Sequence, residues 1–222
     1  MNASPTRRLA AEFVGTAFLL AALVGSGIMG EGLSGGNEAL ALLANSIATG
    51  AALFVLILAF GAVSGAHFNP LVTLAAARAG ELAWRTVPGY LAAQFGGAFA
   101  GVAAAHAMFG CPLFTASHKA RSGAAQCFSE LVATFGLVLV LRCVASARRE
   151  ALPLAVAAYI TAAYWFTAST SFANPAVTLA RSATDTFSGI RPADTPLFLL
   201  AQLAGAGAAA LFTAWLLPAR PR

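Results

Sequence analysis

The sequence predicts an all-α membrane protein of six transmembrane helices plus two half-helices, arranged as an inverted internal repeat. Three observations carry that expectation. The chain is 59% hydrophobic and only 9% charged, it contains apolar runs of membrane-spanning length, and two short segments that begin with Asn-Pro recur in its two halves. A soluble domain carries about 25% charged residues, so this chain has too little charge to cover a globule with polar surface. The formal charge of +5 does not imply nucleic acid, because twelve of the thirteen basic residues are arginines scattered between apolar runs. Arginines placed in this way anchor the loops of a membrane protein.

The apolar stretches fall at 9–29, 39–62, 86–108, 126–146, 152–168 and 196–217. A bilayer core takes about 20 apolar residues to cross. The first stretch follows Arg7 and Arg8, the flank expected of a signal peptide, but its run from Leu9 to Gly30 is longer than a signal h-region and remains as a first span. Two further stretches, about 69–78 and 174–182, each follow an Asn-Pro and are too short to cross. At the helical rise they cover roughly 12–15 Å, about half the hydrocarbon core. Basic residues then set the orientation. With the N-terminus inside, Arg7, Arg8, Arg78, Arg85, Arg142, Arg148, Arg149, Arg220 and Arg222 lie at the inner face, against Lys119, Arg121, Arg181 and Arg191 outside. Both termini are therefore expected in the cytoplasm, with the chain in the cell (inner) membrane.

Three landmarks repeat in the same order. Glu12-x-Val14-x-Thr16 returns as Glu130-x-Val132-x-Thr134, 118 positions on. Asn69-Pro70-Leu71-Val72-Thr73-Leu74-Ala75 returns as Asn174-Pro175-Ala176-Val177-Thr178-Leu179-Ala180, 105 on. Ala93-Gln94-x-x-Gly97-Ala98 returns as Ala201-Gln202-x-x-Gly205-Ala206, 108 on. The chain reads as one membrane channel domain, 1–222, with a first repeat at 1–110 and a second at 111–222. Each repeat holds three full spans, so the second enters the membrane from the opposite face. The two Asn-Pro elements then approach from opposite sides and meet near the midplane, where interrupted helices of inverted repeats mark a permeation or binding site.

Asn is a preferred N-cap, and Pro suits the first helical position because its missing N–H is not needed there. Two half-helices that start at the midplane point their positive dipole ends at one spot, a field that repels cations and protons. The amides of Asn69 and Asn174 have N–H groups to offer a passing solute. The segments before them, Ser64–Phe68 and Ser169–Ala173, are expected to be extended, with carbonyls forming a ladder of acceptors. Backbone of that kind is tolerated at membrane depth only where it lines a polar cavity.

Together these residues resemble the aquaporin and aquaglyceroporin (major intrinsic protein) family over the whole chain. Ala11-Glu12-Phe13-x-Gly15-Thr16, Ser64-Gly65-Ala66-His67-Phe68-Asn69-Pro70 and the two Ala-Gln-x-x-Gly-Ala segments carry the resemblance. It implies a homotetramer with one pore per subunit, passively conducting water or small neutral solutes, without a cofactor. The family also has a constriction outside the Asn pair, usually aromatic residues plus an Arg. Carried over by spacing, its positions are Thr49, Ala162, Ser171 and Val177. None of the four is aromatic, and Val177 stands where the family usually has Arg. A smaller, uncharged filter implies solutes larger than water: glycerol-like polyols, arsenite and organic arsenicals, as in unusually open, arsenic-associated bacterial members of the family.

Glu12 and Glu130 are the acidic residues set well inside spans, and intramembrane carboxylates are functional candidates. Their symmetry favours support of the pore loops by accepting backbone hydrogen bonds, which the resemblance also implies. His67 is expected to line the inner mouth. His106 and His118 read as interface or loop residues, and Arg181 as a charge suited to the C-terminal end of the second half-helix. Leu71, bulkier than the commoner Ala, is expected to tighten the inner side of the Asn pair. Cys111, Cys127 and Cys143 lack metal-ligand spacing and read as apolar fillers. No catalytic triad, metal-site or phosphate-loop pattern appears, so an enzyme is not expected. A strict water channel and a coupled secondary transporter are the alternatives to a solute channel. The transporter would need ion-coordinating groups at the midplane beyond the two glutamates.

Overall fold

The computed structural model describes residues 3–217; Arg220 and Arg222, which entered the orientation count, lie outside the described residues. Among the described residues the chain forms α1 (Pro5–Leu33), α2 (Glu38–Ser64), α3 (Pro70–Arg78), α4 (Val87–Phe109), α5 (Ala124–Ala147), α6 (Leu152–Phe166), α7 (Pro175–Arg181) and α8 (Thr195–Leu216). Single 3₁₀ turns at Trp84–Thr86, Arg149–Ala151 and Pro192–Asp194 lead into α4, α6 and α8. Each of those three helices carries Pro in its first turn, where a fixed φ suits the helix and no donor is lost.

Five of the helices, α1, α2, α4, α5 and α8, are long and apolar enough to cross a membrane. α6 has 15 residues, about 22 Å of helix, and the 3₁₀ turn before it lengthens its path. It ends two residues earlier than its apolar stretch because Thr167 turns to extended backbone, with its hydroxyl donating to Ala163 O at 2.6 Å. Large apolar side chains such as Phe18, Val55, Leu200, Leu211 and Trp215 are exposed on the outward faces. A helix that is apolar on its outer face as well as its inner one suits lipid rather than water.

The two halves pack alike. α1 lies against α2 and α4, α5 lies against α6 and α8, α2 meets α6 between the halves, and the two short helices α3 and α7 touch. The crossings are close because of glycine. A Cβ on Gly97 would lie 2.3 Å from Phe13 O, and one on Gly205 would lie 2.3 Å from Leu131 O. Those two contacts repeat at the same offsets as the sequence landmarks. Small residues of this kind let helix backbones approach in a membrane, where apolar burial gives no drive of its own. One apolar core then runs through both halves, with Leu20, Val24, Phe68 and Val102 joined to Ala133, Leu137, Ala173 and Val177.

Gly97→Ala or Gly205→Ala must push the helices apart and is expected to destabilise the protein by about 1–3 kcal/mol. A Cβ at Gly207 meets nothing within 4 Å, so Gly207→Ala should leave stability unchanged or raise it slightly. Thermal midpoints in detergent compare them; equal midpoints for the Gly97 and Gly207 variants would contradict the close-crossing account.

Candidate functional site: the pore

The two Asn-Pro elements start helices in the same way. Asn69 Oδ1 accepts from Leu71 N at 2.9 Å, and Asn174 Oδ1 accepts from Ala176 N at 3.0 Å and Val177 N at 3.4 Å. Each side-chain amide also reaches across the junction. Asn69 Nδ2 donates to Ala173 O and Asn174 Nδ2 donates to Phe68 O, both at 2.8 Å. The two positive helix ends therefore face one another at a point closed by a reciprocal pair of hydrogen bonds.

The segments before the asparagines hold an unusual backbone. Ala66 and Phe68 have φ of 50°, and their counterparts Ser171 and Ala173 have φ of 51° and 46°. Such conformations cost a non-glycine residue about 1–2 kcal/mol each. Two wholly buried carboxylates hold them in place. Glu12 Oε1 accepts from Ser64 Oγ (2.6 Å) and His67 N (3.0 Å), and its Oε2 accepts from Phe68 N and Gln94 Nε2, both at 2.8 Å. Glu130 Oε1 accepts from Phe172 N (2.9 Å), and its Oε2 accepts from Ala173 N (2.9 Å) and Gln202 Nε2 (2.6 Å). Gln94 and Gln202 each donate as well to a threonine of the adjoining half-helix, Thr73 and Thr178, at 2.8 Å. With the loop N–H groups turned toward the carboxylates, the carbonyls of Gly65, Ala66, His67, Thr170, Ser171 and Phe172 make no hydrogen bond among the described residues. These are the free acceptors of the expected ladder.

A cavity of about 340 Å³ follows both loops. The near mouth, on the face where α1 begins, is lined by Arg8, Glu81, Arg142 and Arg149, with an ion pair of 3.0 Å between Arg142 and Glu81. No other Asp, Glu, Lys or Arg lines the cavity. Its long walls are i, i+4 stripes: Thr49, Leu53, Ile57 and Gly61 on α2, and Leu152, Val156, Ile160 and Tyr164 on α6. His67 lines it too, with Nδ1 3.1 Å from Thr73 Oγ1. Thr49, Ser171 and Val177 line the far part, and the buried Ser171 hydroxyl has no partner among the described residues.

Residues 1–171 match the Major intrinsic protein family. The aquaglyceroporin AqpS of Rhizobium meliloti (strain 1021) is 57% identical over 217 residues, covering 97% of this chain and 93% of that protein. The chain belongs to the major intrinsic protein family. Aquaporin NIP6-1 of Arabidopsis thaliana is 33% identical over 149 residues, 67% of this chain and 48% of that protein, so the chain spans about half the length of that plant relative. The X-ray structure of the aquaglyceroporin from Plasmodium falciparum has the same fold, with a TM-score of 0.74 at 20% identity over 96% of this chain and 95% of that one. Members of this family are channels, and the chain is a multi-pass membrane channel rather than an enzyme.

Two residues stand elsewhere than spacing from the family's motifs implies. Ala162 is exposed on the outside of α6 and does not line the cavity. It sits two residues from both Ile160 and Tyr164, about 200° around the helix from each. Tyr164 takes the lumen position and brings an aromatic ring that the spacing argument lacked; its hydroxyl donates to Thr49 Oγ1 at 3.3 Å. Leu71 does not tighten the lumen, because its side chain packs with Val138, Ala206 and Ala209 on the side of α3 toward α5 and α8. Ala176, Pro70 and Pro175 are likewise buried without lining the cavity. Of the histidines, His106 is buried against Thr184 Oγ1 at 2.7 Å, while His118 donates its backbone N–H to the loop residue Asp185 at 2.9 Å. Those contacts hold the Asp185 carboxyl below the usual carboxylate range.

Sequence reasoning passed over Gln94 and Gln202 as chemistry, although their recurrence was the signal. It also placed Arg121 in an outer loop as an anchoring charge. The structure buries Arg121, which donates from Nε to Gly189 O at 2.9 Å and from Nη1 to Ser169 O at 3.2 Å. A single arginine in a polar connection gives no sequence sign of such a role.

Glu130→Gln places an amide N–H₂ against at least one loop donor and removes the charge that the loop N–H groups share. It is expected to destabilise the protein by about 3 kcal/mol and to lower solute flux by at least about tenfold through loss of the loop conformation. Thermal midpoint and stopped-flow permeability of one preparation test this together. Wild-type values of both would remove Glu130 from loop support.

Proposed function

We propose that this chain passively conducts small neutral solutes larger than water, with glycerol-like polyols, arsenite and organic arsenicals as the solute class and water passing as well. One observation carries the reading: from Thr49 to Val177 the lumen has no charged side chain, and a small apolar Val stands where the family usually has Arg. An arginine there would add a fixed charge, several donors and bulk. In its absence the polar groups of the filter are the hydroxyls of Thr49, Tyr164 and Ser171, with Val177 as an apolar wall. Hydroxyls and free backbone carbonyls can replace part of the water shell of a polyol or a neutral As(OH)₃ without favouring an ion. The 57% identity to a protein named aquaglyceroporin supports the polyol part. Selection rests on Thr49, Tyr164, Ser171 and Val177, solute passes alongside the paired asparagines, and His67 lines the inner mouth.

Coupled transport is disfavoured because Glu12 and Glu130, the buried carboxylates near the midplane, are each engaged by at least three donors within the protein. The family and the distribution of arginines support a homotetramer in the inner membrane with both termini cytoplasmic. The near mouth is then the cytoplasmic one.

Stopped-flow permeability of proteoliposomes to water, glycerol and arsenite, side by side, tests the reading. All three are expected to exceed the protein-free rate and to follow the solute gradient without response to a proton or sodium gradient. Exclusion of every uncharged solute above water size would refute it. Val177→Arg is expected to lower glycerol and arsenite permeability by at least about tenfold, with water affected less. Tyr164→Ala should widen the filter and raise the rate for solutes larger than glycerol, whereas Ala162→Ser should change nothing.

A further inference from the structure

We propose that Arg121 and Arg181 form a charge barrier behind the pore wall: their guanidinium groups, stacked on Phe172, set a positive potential at the far end of the lumen and exclude cations there. The inference rests on the channel reading above and addresses what that reading leaves open. Beyond the positive helix ends at the midplane, a wide lumen without a charged side chain at its far end has little there to reject a small cation.

Both arginines are buried, 9% and 2% exposed, and both converge on one ring. The Arg181 guanidinium carbon lies 3.4 Å from the centre of Phe172 and that of Arg121 lies 5.1 Å from it. Phe172 belongs to the pore loop and lines the cavity, so one aromatic ring separates the charges from the lumen. Neither guanidinium has a carboxylate partner among the described residues. Arg121 donates to the carbonyls of Gly189 and Ser169, Arg181 Nε donates to Ser188 O, and Arg181 Nη1 has no partner. Asp194 gives one carboxylate oxygen to Arg191 and the other to the backbone N–H of Arg121. Glu130 is the carboxylate that acts on both guanidinium groups through space, and it offsets one of the two charges, which leaves a net positive wall.

Arginine is the most basic of the side chains and keeps its charge at neutral pH even when buried. A unit charge roughly 8 Å away at an effective dielectric constant near 20 changes the occupancy of a monovalent cation by about thirtyfold. The same charge attracts no neutral solute, so ion rejection and solute passage are separable here. A lumen arginine would obstruct the bore while repelling cations; two arginines behind the wall repel cations and leave the bore open.

Proteoliposomes loaded with a potassium-sensitive dye test the proposal, with glycerol permeability measured on the same vesicles. Wild type is expected to pass glycerol and to admit K⁺ no faster than protein-free vesicles. Arg121→Gln and Arg181→Gln keep donors but lose the charge, and each should raise K⁺ influx at least about tenfold while glycerol flux stays within about twofold of wild type. Arg121→Lys keeps the charge and loses the fork, and should still exclude K⁺. A Gln variant with wild-type glycerol flux that still excludes K⁺ would overturn the proposal, as would leakage from Arg121→Lys equal to that from Arg121→Gln. Should the Gln variants not fold, the reversal potential of wild type across a KCl gradient decides: any leak must lie on the chloride side, and a potassium-side potential overturns the inference. Absence of glycerol and arsenite flux in wild type would instead refute the channel reading and leave the ion measurements to stand by themselves.

Discussion

Two carboxylates sunk in protein hold the pore open. An unpaired charge in such a place costs several kcal/mol, and Glu12 and Glu130 are tolerated because donors surround them: loop N–H groups, a serine hydroxyl and a glutamine amide. Loop and carboxylate depend on each other. Without the glutamates, the positive-φ backbone at 66, 68, 171 and 173 has nothing to offset its strain, and the N–H groups that now face outward would have no partner. With them, the N–H groups turn to the wall and the carbonyls turn to the lumen. A polar track through an apolar core is thus made from backbone, which carries partial charges but no net charge, and it suits a neutral solute for that reason.

The asparagine pair depends on that arrangement in turn. Each amide crosses to the carbonyl that the opposite loop presents just before its own asparagine. The crossed bonds form only if both loops are extended to the same depth, so the two half-helices set one another's position. Symmetry makes this economical, since one solution to the loop problem serves twice. The same symmetry recurs at the helix crossings, where Gly97 against Phe13 and Gly205 against Leu131 fix how closely α1 and α5 approach their partners.

Much of this was legible in the sequence because it is doubled. The Asn-Pro elements, the two glutamates and the two Ala-Gln-x-x-Gly-Ala segments each appear twice at consistent offsets, and a repeated polar residue within apolar runs has a physical cause worth seeking. What was illegible lies where the halves differ. Helix phase decides whether Ala162 or Tyr164 meets the lumen, and a spacing counted back from Asn174 crosses the irregular loop 167–173, where residue counts do not convert into angle. Leu71 misled for a related reason: adjacency to Asn69 in sequence says nothing of which side of α3 it occupies. Arg121 reaches the pore loop through a connection with no periodicity at all, so only the folded chain brings it to Ser169 and Gly189.

The halves differ most in what stands behind their loops. Glu12 and its loop face a near mouth that carries three arginines and a glutamate in contact with solvent, a setting in which charges are screened. Glu130 and its loop are backed by Arg121 and Arg181 within the protein, where screening is weak. Equal and opposite loops with unequal backing give a pore whose polar track is symmetric and whose potential is not. Different residues line and back the far side: Thr49, Tyr164, Ser171 and Val177 line the passage, and Arg121 and Arg181 stack on Phe172 behind it. On the proposed reading, separating the two would let a lumen carry valine in place of arginine and still reject cations.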